Sequence, residues 1–373
     1  MRFVFFIHSL VSCWNHGNAH FLRGVLRELQ ARGHEIRVFE PEGAWSRENL
    51  LREQGAGAIE RFQAAFPALV SETYGRELDF DRALEGADVV LVHEWNEPWL
   101  VEVLGRRRAQ GGRFVLLFHD THHRAVSAET DMARLDLSGY DGVLAFGEVL
   151  RELYLRLGWA GRAFTWHEAA DTALFRPHPE IAPERDLVWI GNWGDGERSA
   201  ELATFLFDPV ERLGLSLTVH GVRYPPEGLE ALRRIGADYR GWLANAGVPR
   251  VFAAHRATVH IPRRPYVTAL PGIPTIRVFE ALACGIPLVC TPWQDGEGLF
   301  RPGRDYLLAR DGEEMAAHLR AVLSDRDLRR SLVESGLESI RSRHSCAHRV
   351  DELLSIVRRL GAARPAMETE AAE

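Results

Sequence analysis

The chain contains no lysine: all 45 of its basic side chains are arginine. This excludes a Schiff-base lysine for pyridoxal phosphate, a P-loop lysine and a kinase-type phosphate lysine. Any anion must be held by arginine, histidine or backbone N–H groups, although a GC-rich genome also produces uniform arginine use. Cysteine is scarce. Cys13, Cys284, Cys290 and Cys346 form no CxxC pair and no metal-ligand spacing, which suits a reducing cytoplasm and points to no metal and no disulfides. No apolar run reaches about 18 residues, so no membrane-spanning helix is expected. The opening run through Ile7 is too short for a signal-peptide core and reads as a strand. A basic excess is missing too: 45 basic against 52 acidic residues give a net charge of −7, which argues against nucleic acid as the main partner. No GxGxxG fingerprint follows the first strand, so no nicotinamide cofactor is expected there.

What is present is a chain of 373 residues, 46% hydrophobic, long enough for two domains. Short apolar runs alternate with amphipathic stretches. Arg2–Ile7, Glu35–Phe39, Val89–His93, Phe114–Phe118 and Gly142–Phe146 read as buried parallel strands, with a helix over Ala19–Arg32. The rhythm breaks in a proline-rich stretch near 175–185 and restarts with Leu187–Ile190, Ser216–His220, Thr258–Ile261 and Pro287–Cys290. The expected fold is α/β, with two doubly wound Rossmann-like domains facing a central cleft. Its parts are residues 1–175, residues 186–345, a helix over 346–360 packing back on the first domain, and a disordered tail over 361–373.

Ligands in such sheets bind beyond the carboxyl ends of the strands, so the residues that follow each strand are the candidates. After the first strand come His16, Gly17 and Asn18, with Asn18 placed to cap the first helix. His119, Asp120, His122 and His123 follow a buried strand. A substrate or catalytic role, a polar structural cluster and a metal site are all readings of this group, but adjacent His122 and His123 fit one ion poorly. Glu94 ends the neighbouring strand and is a second candidate base. In the second half, Gly191 opens a glycine-rich turn leading to Arg198, and Arg263 and Arg264 follow another strand. Gly-Ile-Pro-Thr then opens a helix with Thr275, Ile276 and Arg277 in its first turn and Glu280 one turn on. Amides on phosphates with a carboxylate on ribose hydroxyls is an arrangement that suits a sugar nucleotide. Trp14, Trp95, Trp99, Trp193 and Trp242 fall in cleft-side loops, where they could stack on an acceptor or plug the domain edges.

The run Phe279-Glu-Ala-Leu-Ala-Cys-Gly-Ile-Pro-Leu-Val resembles the donor-site signature of GT-B glycosyltransferases, group 1. The wider run from Gly272 to Arg349 looks closest to their spore-maturation, CgeB-like branch. The resemblance implies a nucleoside-diphosphate sugar held by the second domain and an acceptor (glycan, lipid, natural product or protein) held by the first. It also implies a retaining, metal-independent transfer with no cofactor. Glu280 resembles the glutamate that binds the donor ribose, so Glu280→Ala is expected to lose donor binding with the fold intact. His119 resembles the histidine contacting the transferred sugar, and Asp171 a structural interdomain aspartate. Where the family often carries a first glutamate, this chain has Gly272, whose neighbouring backbone amide could substitute. His119, Asp120 or Glu94 could instead serve as base in an inverting reaction. A nucleotide-sugar-binding protein without catalysis and a sugar-nucleotide epimerase remain alternatives.

Overall fold

The computed structural model describes residues 1–362. Two parallel sheets organise them. The first contains β1 (Arg2–Phe6), β2 (Glu35–Pro41), β3 (Glu72–Tyr74), β4 (Val89–His93), β5 (Val115–Asp120), β6 (Gly142–Ala145) and β7 (Ala163–Thr165), in the order β3-β2-β1-β4-β5-β6-β7. The second contains β8 (Arg185–Ile190), β9 (Leu217–His220), β10 (Asp238–Tyr239), β11 (His255–His260), β12 (Leu288–Cys290) and β13 (Leu307–Leu308), in the order β10-β9-β8-β11-β12-β13. Every residue of β4 and β5 is buried, as befits strands covered on both faces.

Sheet order places the site. It reverses between β1 and β4 in one sheet and between β8 and β11 in the other. A crevice opens beyond the strand ends at such a reversal. The loops after β1 and β4 therefore meet the loops after β8 and β11 across a shared cleft.

Helix α1 (Ala19–Ala31) buries Phe21, Leu22, Val25, Leu26 and Leu29, a helical stripe facing the sheet. Asn18 does not cap it. That residue has helical dihedrals, and its side-chain amide instead donates to Glu168 Oε1 at 3.1 Å. Further helices include α2 (Ile276–Cys284), α3 (Arg326–Arg343) and α4 (Cys346–Ala362). After the second domain α4 returns to α1, where Arg32 pairs with Asp351 at 2.6 Å. The Trp166 indole donates to the Arg349 carbonyl at 2.8 Å. Gly24 permits this approach, because a Cβ there would lie 2.5 Å from Cys346 Sγ and 2.8 Å from Asp171 Cβ. One apolar cluster runs through Phe21, Trp166, Ile276, Phe279 and Val350, so the two domains share a core. Of the residues expected in a tail, 361 and 362 close α4, and 363–373 lie outside the described residues.

The strand expected over 114–118 runs instead from Val115 to Asp120. His119 pairs with His93 and Leu144, and Asp120 with Ala145, so two supposed loop residues lie inside the sheet.

Candidate active site

A cavity of about 600 Å³ lies between the domains. The first domain contributes His16, Gly17 and Asn18 after β1, Trp95 after β4 and His122 after β5. Facing them are Gly191 and Arg198 after β8, Arg263 after β11, and Thr275, Ile276 and Arg277 at the start of α2. Reading the loop beyond each strand thus brings these candidates to one wall. Thr275 sits one residue earlier in the helix than expected. It is the extended residue before α2, and its hydroxyl meets His260 Nε2 at 3.0 Å.

The four cavity arginines are not equivalent: Arg223 is paired with Asp195 at 3.2 Å. Arg263 is paired with Glu197 at 2.6 Å, and Arg277 with Glu280. Arg198 has no carboxylate partner among the described residues. Its guanidinium donates to the Asn192 carbonyl at 2.8 Å and the Ile261 carbonyl at 3.1 Å, and its buried Nε has no partner among them. It also lies over the Trp189 ring, 5.1 Å from the centroid. Burial, with repulsion from Arg263 and Arg277, lowers its pKa to about 10. At neutral pH it therefore remains a fixed positive charge in a low-dielectric wall, arranged to favour an incoming anion.

Other candidates lie beneath or beyond the wall. His119 is fully buried, its ring 4.8 Å from Trp166 and 6.0 Å from Phe21, and both ring nitrogens lack hydrogen-bond partners among the described residues. Burial drives its pKa well below the usual histidine value. Asp120 accepts a hydrogen bond from the Tyr154 hydroxyl at 2.7 Å and one from the His122 N–H at 3.0 Å, and burial lifts its pKa to about 8. Glu94 is buried against His93 at 3.0 Å. His123 meets the Ser127 hydroxyl at 2.8 Å, and Arg264 reaches out to Glu201 at 3.1 Å. None of these five is among the cavity-lining residues.

Glu280 requires the clearest correction. The Asp171 N–H donates to His20 Nε2 at 2.9 Å, which leaves the proton on Nδ1 to donate to Glu280 at 2.7 Å. Arg277 donates to the other carboxylate oxygen. With its side chain wholly buried, Glu280 has no face toward the cavity. It lies behind Arg277 and joins α2 to α1. At Gly272, where the family often carries its first glutamate, the residue's own amide donates to the Trp293 carbonyl at 2.8 Å.

Several wall residues escaped the sequence reading, among them Asn192, His260, Tyr266 and Glu168. Glu168 follows β7, a three-residue strand too short to announce itself by pattern. Burial raises its pKa to about 8, against the Asn18 amide and the Ile276 N–H, which favour ionisation. The wall histidines shift the other way. Burial holds His16 and His122 well below the ordinary histidine value and takes His260 to about 3. Among the described residues, no group of three or more His, Cys, Asp or Glu is placed to hold a metal ion, and no helix is long and apolar enough to cross a membrane.

Residues 17–174 match the family model described as Glycosyltransferase Family 4, and residues 198–355 match that described as Glycosyl transferase-like. No curated protein matches the chain in sequence. Among solved structures, sucrose-phosphate synthase from Thermosynechococcus elongatus is similar with a TM-score of 0.67 at 16% identity, over 98% of this chain and 100% of that one. Anabaena HepE in complex with UDP and glucose gives 0.65 at 15%, over 96% and 100%. An α-glucosyltransferase in complex with UDP-glucose and DNA containing an abasic site gives 0.68 at 13%, over 96% and 99%. These likenesses are of fold. With a glycosyltransferase model matched on each half and two Rossmann-like domains closing on one cleft, the chain has the GT-B fold of the glycosyltransferases it resembles.

Proposed function

We propose that the chain transfers a glycosyl group from a nucleoside-diphosphate sugar to an acceptor hydroxyl. The observation that carries this reading is Arg198, a buried guanidinium on the cavity wall with no carboxylate partner among the described residues. Negative charge develops on the leaving diphosphate, and a fixed cation that needs no reorganisation stabilises it most. Arg263 and Arg277, held by carboxylates, line the same cavity, and the unpaired charge of Arg198 beside them supports transfer without a metal. Two of the fold neighbours are complexed with UDP or UDP-glucose, so UDP-sugars are the first donors to test.

The finer CgeB-like placement rests on the run from Gly272 to Arg349, and a retaining course is what the resemblance implies. A cytoplasmic site of action is supported by four free cysteines. One fold neighbour is complexed with DNA, but a net charge of −7 favours a glycan, lipid, natural product or protein acceptor here. The missing acid at Gly272 favours the second reading, a nucleotide-sugar-binding protein without turnover.

Incubation with a panel of UDP-, GDP- and ADP-sugars and candidate acceptors tests the proposal. The expected result is acceptor-dependent release of one nucleoside diphosphate, with retained anomeric configuration in the product. Tight nucleotide binding without release would support the binding-only reading, and a changed free sugar nucleotide without acceptor would identify an epimerase.

A further inference from the structure

Glycosyl transfer needs a group to receive the acceptor's hydroxyl proton, and the residues first expected to do so lie beneath the wall. Among the described residues two carboxylic side chains line the cavity, Asp195 and Glu168. Asp195 is committed to cations, lying 3.2 Å from Arg223 and 3.7 Å from Arg263. Glu168 forms no ion pair among the described residues. It sits where the acceptor-side loop meets the start of α2, taking the Asn18 amide at 3.1 Å. We propose that Glu168 is the catalytic base of the cleft, an assignment that rests on the transferase reading and names its proton acceptor.

In the step, the acceptor O–H bond breaks and its proton passes to a Glu168 carboxylate oxygen. The hydroxyl oxygen's electron pair forms the new bond to the sugar C1. The bond from C1 to the diphosphate oxygen breaks, and its electron pair leaves with the nucleoside diphosphate toward Arg198 and Arg277. Glu168 borders the α2 N-terminus, where it takes the Ile276 N–H.

Base strength supports the choice. Burial makes the wall imidazoles His16, His122 and His260 weaker bases, whereas it makes the Glu168 carboxylate a stronger one, with a pKa of about 8. Glu280 on α2 and Glu94 after β4 add to that rise. The neighbouring titratable groups are Tyr266 and, on α4, Arg349, which donates to the Glu168 backbone carbonyl at 3.4 Å.

The test compares kcat, donor KM and pH profile for wild type, Glu168→Gln and Glu168→Asp, using UDP-glucose and the other sugars of the panel. Glu168→Gln should lower kcat by about 10²- to 10⁴-fold with donor KM little changed. It should also abolish a wild-type limb of activity that rises with pH through about 8. Glu168→Asp should retain part of the rate, with the limb displaced. If Glu168→Gln does not fold, the Glu168→Asp profile decides: an unmoved limb overturns the assignment. A folded Glu168→Gln within about threefold of wild-type kcat, with the same limb, overturns Glu168 while leaving the transferase reading intact. A wild type that releases no nucleoside diphosphate from any donor overturns both.

Discussion

Removing the Glu280 carboxylate separates two roles that the family resemblance and the structure assign to it. If Glu280 were a cleft ligand for ribose, Glu280→Ala would weaken donor binding and leave the melting temperature alone. The structure places it elsewhere, fully buried between His20 Nδ1 at 2.7 Å and Arg277. Deleting one partner of a buried pair leaves the other unpaired and costs about 3–5 kcal/mol. For a cooperative unit the size of one domain that is roughly 6–20 °C of melting temperature. Donor affinity should fall as well, because Arg277 loses the group that holds it on the wall. Differential scanning calorimetry, alone and with UDP, reads both effects. Combining Glu280→Ala with His20→Ala should cost less than the sum, since the two remove one shared interaction. The pH dependence has a definite sign. Burial alone would raise the Glu280 pKa, but Arg277 and His20 outweigh it and hold the value below that of an ordinary glutamate. A depressed folded-state pKa contributes stability above the unfolded value of about 4.3, and that contribution is lost as pH falls through the folded value. The melting difference between wild type and Glu280→Gln should therefore be full near neutrality and shrink in acid. A Glu280→Ala protein that melts like wild type yet has lost UDP binding would refute this placement and restore the ribose ligand.

Three further substitutions test other parts of the framework. Arg198→Lys keeps the charge but cannot reproduce a guanidinium held by the Asn192 and Ile261 carbonyls, so UDP affinity by calorimetry should fall about 10- to 100-fold; an unchanged affinity would reduce the clamp to a generic positive field. His119→Phe preserves the buried ring volume beside Trp166 and should keep most turnover. Lost turnover at native melting temperature would return His119 to the reaction centre. Gly24→Ala forces a Cβ against Cys346 and Asp171 and should cost about 1–3 kcal/mol on thermal melting, whereas no change would mean that α1 and α4 pack less closely than described.

Much of the fold was legible because its strands are buried on both faces and so appear as unbroken apolar runs. Val89–His93 was read with its observed bounds, and the glycine after Cys284 marked the end of α2, where Gly285 adopts φ +68°. The short edge strands carried less signal. β7 holds three partly buried residues and leaves no apolar run in the sequence, so nothing there marks Glu168 just beyond it. Depth within the cleft was illegible for a different reason. His119 and Asp120 look like loop chemistry because they are polar, but pairing with β4 and β6 continues the strand through them and sinks both below the wall. Sequence spacing likewise set Glu280 one turn after Arg277, but could not show that His20, 260 residues away, would approach it from α1.

The missing lysines acquire their meaning from these partnerships. Arginine in every basic position excludes lysine chemistry but does not distinguish a structural guanidinium from a ligand-binding one. Carboxylates make that distinction. Arg263 has Glu197 and Arg277 has Glu280, whereas Arg198 is held by carbonyl oxygens, which fix its position without cancelling its charge. A carbonyl-held guanidinium retains the attraction for an anion that a carboxylate-held one has largely satisfied. The carboxyl side of the wall shows the converse: Asp195 is spent on arginines, and Glu168 is left free of them with its basicity raised by burial. One unspent cation and one unspent carboxyl in a single cavity are the two groups that glycosyl transfer needs, the first for the leaving diphosphate and the second for the acceptor proton.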